Sequence, residues 1–443
     1  MATEPLKNSG DFEQRPLKNS DDFEQGAVPQ TSRRGFWSML VVMLGFTFFS
    51  ASMFAGGKLG VGMTFTELLW AVLAGNLLLG AYTGTLAFMA AKTGDSVHIL
   101  SRYAFGVRGS YLPSALLAFT QIGWFGVGIA MFALPVQKWL GSRGMIQPDN
   151  TGALWAIVII TGVVMTSTAY FGIRSLTILS FIAVPAIIIL GCWSSGLVLF
   201  GKNGIGLTGL LAAQPSPEAA IGATLAIAIS IGSFISGGTC TPDFVRFAKG
   251  PRVAVWTTVI AFFLGNSLMF LFGAIGTMGC ELADISDVLE LQGLLVFAIL
   301  ALGLNIWTTN DNAIYTSGLG ISNITGIPKR FTVLFNGLLG TVLAVWLNNH
   351  FVGYLNFLNV LIPPVGAILI TDFFVRNAGK YPEEKDAKFV DVNWPAVIAW
   401  AIGCGVAFVN IGIKAINGMG AAAVVYILLS VYFKNHPADN EKK

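Results

Sequence analysis

Twelve stretches of this chain, each 19 to 29 residues long, contain no Asp, Glu, Lys or Arg: 35–57, 68–91, 109–137, 150–173, 175–201, 219–242, 253–280, 291–310, 331–349, 351–371, 392–413 and 415–433. About 20 predominantly apolar residues in helical form cross the hydrocarbon of a bilayer. The pattern predicts an all-α integral membrane protein with 12 transmembrane helices. Only 11% of the 443 residues are charged, against about 25% in soluble domains. The longest runs exceed a simple span, which suits tilt or a helix that continues past the bilayer.

Lys and Arg set the orientation. With the amino terminus in the cytoplasm, 21 of the 26 basic residues fall inside and five fall outside, namely Lys58, Lys138, Arg143, Lys202 and Lys414. The loop after the seventh run, acidic through Glu281, Asp284, Asp287 and Glu290, also falls outside. Both termini are thus expected in the cytoplasm. The net charge of +3 reflects this bias and gives no reason to invoke a nucleic acid. More than thirty polar residues precede the first run, which is itself too long for the apolar core of a cleavable signal peptide. Residues 1–34 carry a tandem near-repeat, PLKNSGDFEQ and PLKNSDDFEQ, and read as a disordered cytoplasmic tail. Cys192, Cys240, Cys280 and Cys404 stand apart, without metal-site spacing. The chain has no HExxH, no paired catalytic carboxylates and no nucleophile motif, which argues against a membrane enzyme.

Two runs interrupt their own apolar pattern. The first contains GFTFFSASMFAGG at 45–57 and the sixth GSFISGGT at 232–239, each with aromatics and serines leading into glycines at mid-run. A helix broken at that depth is tolerated only where protein or a water-filled cavity satisfies the freed backbone groups. Five helices separate the two starts, and an odd count inverts the second unit relative to the first. Matching breaks point to an inverted-repeat transporter with its site near the bilayer midplane; the alternative use of such glycines is close helix packing.

The eighth run ends in a polar stretch, GLNIWTTNDN. Asn305, Thr308, Thr309 and Asn312 stand at i, i+3, i+4 and i+7 and share one helical face. Such a face lines a pathway or bonds a neighbouring helix. Asp311 lies about 240° around the helix from Asn305 and reads as a network or gating residue, as does Asn310, with proton carriage the lesser alternative. In the third run Gln121 and Trp124 are three apart, offering a donor–acceptor edge and a flat ring, which suit a planar heterocycle as well as ordinary packing. Asp243 precedes Arg246 at the end of the sixth run and is expected to pair with a basic residue; Glu67, Asp372, His98, His350 and His436 are assigned no chemistry. Pro363-Pro364 should kink the tenth helix.

The strings VMLGFTFFSASM, TQIGWFGVGIAMFALPV, SFISGGT, DFVRF, AFFLGNSLMF, ADISDV and GLNIWTTNDNA occur in this order. Together they resemble the bacterial cytosine permeases of the nucleobase-cation-symport-1 family, from about Gly26 through the twelfth run. The resemblance implies a LeuT-type 5+5 inverted repeat with helices 1 and 6 broken and two peripheral helices. Its segments would be a first repeat over 35–217, a second over 218–378, helices 11 and 12 over 379–434 and a carboxyl-terminal tail over 435–443. It implies import of cytosine across the bacterial inner membrane by symport with a cation, Na⁺ being expected and H⁺ the alternative, without a cofactor. The base would lie between Trp124 and Phe234, bonded by Gln121, Ser236, adjoining backbone at Gly237, and Asn305. The cation would sit between carbonyls of Phe49 and Ser52, the Asn305 carbonyl, and the Thr308 and Thr309 hydroxyls. The chain departs from the family pattern at Gly237 and at Cys240-Thr-Pro242, where SAGTLTADF is expected, and in its amino-terminal repeat. Another planar solute, such as uracil, a purine, hydantoin or allantoin, is the alternative cargo, and a channel the alternative class.

Overall fold

The first apolar run forms two helices, α1 (Phe36–Thr47) and α2 (Ser50–Gly62), bent by 51°. The break falls at Phe48–Phe49, where the backbone turns extended, and not at the glycines that follow. Those glycines serve packing: a Cβ on Gly56 would lie inside the Phe270 carbonyl, and one on Gly273 inside that of Met53, so two backbones touch where the helices cross. Tandem aromatic side chains at the hinge are buried and leave the small residues free for that crossing.

This computed structural model describes residues 23, 26–147, 149–170, 173–215, 218–282, 285–409 and 412–435. The tandem repeat apart from Phe23, Asp284, and the tail beyond 435 lie outside the described residues. The remaining helices are α3 (Phe65–Thr93), α4 (Val97–Phe105), α5 (Tyr111–Ser142), α6 (Thr151–Tyr170), α7 (Ile173–Phe200), α8 (Gly206–Ala212), α9 (Ala223–Gly232), α10 (Ile235–Thr239), α11 (Thr241–Val245), α12 (Pro251–Ile260), α13 (Ser267–Cys280), α14 (Ile285–Leu291), α15 (Leu295–Thr325), α16 (Lys329–Asn349), α17 (Phe351–Leu361), α18 (Pro363–Thr371), α19 (Trp394–Phe408) and α20 (Lys414–Asn435).

Among the described residues, length and apolarity alone qualify eight spans, or nine with the bent α1–α2 pair. Three expected runs take other forms. The sixth is broken into α9, α10 and α11, interrupted at Ser233–Phe234 and again at Cys240. The eighth lies in the 31-residue α15, which does not stop at Asn310 but continues to Thr325, because its polar residues are buried against other helices rather than turned to water. The eleventh holds only a 15-residue helix, α19. The tenth is interrupted at Ile362, before Pro363, as the proline pair required.

α15 packs along α5, α7 and α16, while α2 packs on α13 and α3 on α12. The core is thus a set of long helices around two broken ones. Residues 26–34, expected to belong to a disordered tail, are instead tied down. Val28 N–H donates to the Gly94 carbonyl (2.9 Å), the Arg33 guanidinium to Ala91 O (2.6 Å) and Val28 O (3.1 Å), and Arg34 pairs as an isolated bridge with Ala248. Composition favoured disorder, but the last nine residues before α1 find backbone partners at the ends of α3 and α11.

Candidate functional site

A helix leaves its last four carbonyls without intrahelical donors. In α1 these belong to Leu44, Gly45, Phe46 and Thr47; Phe48 N–H takes that of Leu44, at 2.8 Å. Of the rest, that of Gly45 meets α15. Thr308 Oγ1 lies 3.3 Å from Gly45 O and donates to Asn305 O at 2.8 Å, as Thr309 Oγ1 does at 3.1 Å. The Asn305 side chain spans the hinge: its Nδ2 donates to Phe48 O and its Oδ1 accepts from Ser50 Oγ at 2.8 Å. Asn305 therefore secures the broken helix with both side-chain atoms.

The expected cation residues are brought together in part. Asn305, Thr308 and Thr309 meet the end of α1, where the carbonyl against Thr308 is that of Gly45. Sequence reasoning missed Gly45 because it looked to the carbonyls of Phe49 and Ser52, after the break; the last four carbonyls of α1, before the break, include it. Phe49 O accepts from Ser52 N–H at 3.0 Å. Ser52 Oγ is buried and takes no partner among the described residues. The donor set is neutral oxygen throughout, which fits a hard monovalent cation by extension from calcium and magnesium sites.

Beside this cluster lies a nearly closed cavity of about 10 Å³, lined by Phe46, Phe49, Gln121, Trp124, Phe234 and Asn310 among others. It joins the break of α1 to that of α9–α10. Gln121 Nε2 donates to Ser236 Oγ at 2.8 Å, and Ser236 Oγ to Thr120 Oγ1 at 2.8 Å. Trp124 and Phe234 do not face an open slot: the Phe49 ring stands edge-on to both, at 5.3 and 6.0 Å between centroids. Gly237 lies under the Phe46 and Phe234 rings. Asn310 lines the cavity with its Nδ2 fixed on Phe125 O, at 3.1 Å. Asp311 faces away, accepting from Thr168 Oγ1 at 2.7 Å, which in turn accepts from Trp307 Nε1.

Toward the Lys58 end, an open vestibule of about 520 Å³ is lined by Phe54, Lys58, Gln137, Lys138 and Phe351 among others. Phe351 contacts the Trp124 ring at 6.0 Å, so one aromatic layer separates vestibule and cavity. Lys138 is paired there with Asp287 and Glu290 of α14. At the other end Asp243 is buried 3.7 Å from His98 Nε2 and accepts from Val97 N–H at 2.8 Å. The expected basic partner exists, but it is a histidine read as exposed to the cytoplasm. α4 folds His98 inward against Ser114 and Thr316 O, and burial holds its imidazole below the ordinary value.

Two broken helices meeting around a buried, uncharged cavity, within a bundle of apolar spans, define a LeuT-type membrane transporter and not an enzyme. The family model described as permease for cytosine/purines, uracil, thiamine, allantoin matches residues 27–430, and the chain belongs to this family of nucleobase transporters. The cytosine permease of Escherichia coli (strain K12) is 48% identical over 406 residues, covering 91% of this chain and 93% of that protein. The hydantoin permease of Microbacterium maritypicum is 24% identical, covering 76% and 74%. Among solved structures, Mhp1, a nucleobase-cation-symport-1 transporter in a closed conformation with bromovinylhydantoin bound, superposes with a TM-score of 0.80 at 21% identity, covering 96% and 97%. A Na⁺-coupled sialic acid symporter does so at 0.69 and 12% identity, covering 93% and 92%. These likenesses establish the fold.

Proposed function

We propose that this protein is a secondary active transporter that imports cytosine with Na⁺ by alternating access. The observation that carries the reading is the joining of a neutral aromatic–amide cavity to an all-oxygen cluster at the same helix break. Cytosine is neutral, planar and rich in donors and acceptors, so rings and an amide suit it and no buried charge is required. The identity to a protein named for cytosine supports that cargo over the other solutes of the family.

In this reading the base stacks between Trp124 and Phe234 once Phe49 withdraws. Gln121, Ser236 and the backbone at Gly237 bond its edge. Na⁺ lies among Gly45 O, Asn305 O, and the hydroxyls of Thr308 and Thr309, with Phe49 and Ser52 on the far side of the hinge. Asn310 and Asp311 hold α15 to α5 and α6. The interrupted, polar and short helices cross the bilayer as well, giving twelve spans in the bacterial inner membrane with both ends in the cytoplasm. In this reading the two five-helix repeats span 35–217 and 218–378.

The test is uptake of radiolabelled cytosine into proteoliposomes with imposed Na⁺ or H⁺ gradients, with uracil, hydantoin and allantoin as competitors. Uptake driven by Na⁺, with weak competition by uracil, is the expected result. Uracil reverses two hydrogen-bonding positions, which a site built on matched donors and acceptors penalises. Uptake that follows the proton gradient alone would remove Na⁺ and turn attention to Asp311, whose Oδ2 is buried without a partner among the described residues.

A further inference from the structure

Three membrane helices end at one level around a second cavity that the transport site does not use. The span Gly353–Arg376 ends at Arg376, α19 begins at Trp394, and the span Lys414–Phe433 ends at Phe433. Between them and the segment 377–393 opens a cavity of about 470 Å³ lined by Arg376, Lys388, Asn377, Tyr381, Trp394 and Phe433 among others. That segment is fixed: Val390 and Asp391 carbonyls accept from the backbone of residues 107–109, Asn393 N–H donates to Phe105 O, and Tyr381 stacks on Tyr103 at 4.1 Å.

The cavity has a cationic floor and an apolar rim. Its acid, Asp372, is buried and accepts from the Tyr381 and Tyr426 hydroxyls, each at 2.6 Å, and from Asn377 Nδ2 at 3.1 Å. Arg376 directs Nη1 at Tyr426 Oη, at 2.9 Å, and lies 3.6 Å from Asp372 Oδ1, while its side chain remains 50% exposed and its other nitrogen can meet a second anion. Lys388 is exposed without an acidic partner among the described residues. Trp394, 60% exposed, and Phe433, 46% exposed, extend the rim onto the lipid-facing surface of α19 and α20. Helix ends place this floor at headgroup depth, where tryptophan also concentrates. Basic pockets between helices at that depth suit anionic headgroups.

We propose that this cavity binds an anionic phospholipid, its phosphate between Arg376 and Lys388 and its acyl chains along Trp394 and Phe433. Native mass spectrometry of the full chain in detergent, titrated with phosphatidylglycerol or phosphatidylcholine, tests it. Phosphatidylglycerol should bind more tightly. Each cation near an anionic surface contributes about 1 kcal/mol, so Lys388→Gln should weaken binding about fivefold and Arg376→Gln/Lys388→Gln about 25-fold. Because Arg376 also bonds Tyr426, the exposed Lys388→Gln variant carries the result if the double variant fails to fold. Brominated phosphatidylglycerol should quench tryptophan fluorescence, less so in Trp394→Phe. Inorganic phosphate should not compete at millimolar concentration. Equal binding of the two lipids, no effect of Lys388→Gln, or equal quenching in Trp394→Phe would overturn the proposal; so would full displacement by inorganic phosphate, which would make this a free-anion site.

Discussion

Asn305→Ala separates two roles for the residue at the centre of the site. In the structure its side chain bonds Phe48 O and Ser50 Oγ across the break, and all three residues are buried. Truncation would leave a backbone carbonyl and a hydroxyl unpaired, each costing about 1 to 3 kcal/mol when buried. The Ser50 hydroxyl can turn toward another acceptor, so the loss is expected at about 2 to 4 kcal/mol in the ligand-free protein. Asn305→Asp should do no better, since it keeps the acceptor for Ser50 but turns an oxygen toward Phe48 O. A cycle with Ser50→Ala should show a coupling of about 1 kcal/mol, as expected of directly bonded partners. Thermal stability in detergent, measured without cytosine or Na⁺, is the first assay, and cytosine titration the second. Wild-type stability combined with a large loss of cytosine binding would refute the reasoning, because the side chain would then serve the base and not the break.

Gln121→Ala and Trp124→Ala should each weaken cytosine about tenfold to a hundredfold in a folded protein, as loss of a buried polar contact or a stacking ring implies; thermal-shift titration reads this, and wild-type affinity in Gln121→Ala would reject the base assignment. Thr309→Ala should raise the Na⁺ concentration for half-maximal uptake while leaving cytosine affinity recoverable at high Na⁺, since two linked ligands tighten each other by one factor; an unchanged Na⁺ requirement would exclude Thr309 from the cation. Burial and the nearby Glu384 push Asp95 up to about 6, against the opposing pull of Arg246 and Arg33. A raised carboxyl stabilises the fold fully below its ordinary value and loses that contribution as pH rises through 6, so Asp95→Asn should gain on wild type by about 2 kcal/mol between pH 4 and 7.5. A difference in thermal midpoint that stays flat over that range would contradict this.

Much of the fold was legible because a bilayer leaves few options: uncharged runs of spanning length, matching interruptions in the first and sixth, and a proline pair in the tenth. Ends and hinges were less legible. Asp311 cut the eighth run short because a charge reads as an end, yet buried bonds from Thr168 let α15 continue through it. The first hinge was attributed to the serines and glycines of 45–57, and glycines permit both bending and close approach. Only the carbonyl of Phe270 lying against Gly56 shows that approach was their use. His98 was assigned no chemistry because it stands between two runs, but its surroundings are made by the nearby α5 and by α11 and α15, far away in sequence. The candidate residues Gln121, Trp124 and Thr308 stood out as polar or bulky aromatic residues in apolar runs, whereas Phe234 came from the family resemblance. Their partners, such as Ser50 for Asn305, 255 positions away, leave no trace in any local period.

The hinge gives the proposed function its coupling. Phe48 and Phe49 are consecutive: the carbonyl of the first is held by Asn305, and the ring of the second stands between Trp124 and Phe234. A base entering from the vestibule must pass Phe351, which touches Trp124, and then displace the Phe49 ring. Where the Phe49 backbone turns with its ring, the adjacent Phe48 carbonyl, held by Asn305, would move, and with it the end of α1, whose Gly45 carbonyl meets Thr308. A cation held by those oxygens would resist or favour particular hinge angles, and so particular positions of the ring. Binding of each solute would thereby bias the other through two adjacent residues, without charge contact between them, which is the differential interaction that ligand linkage requires.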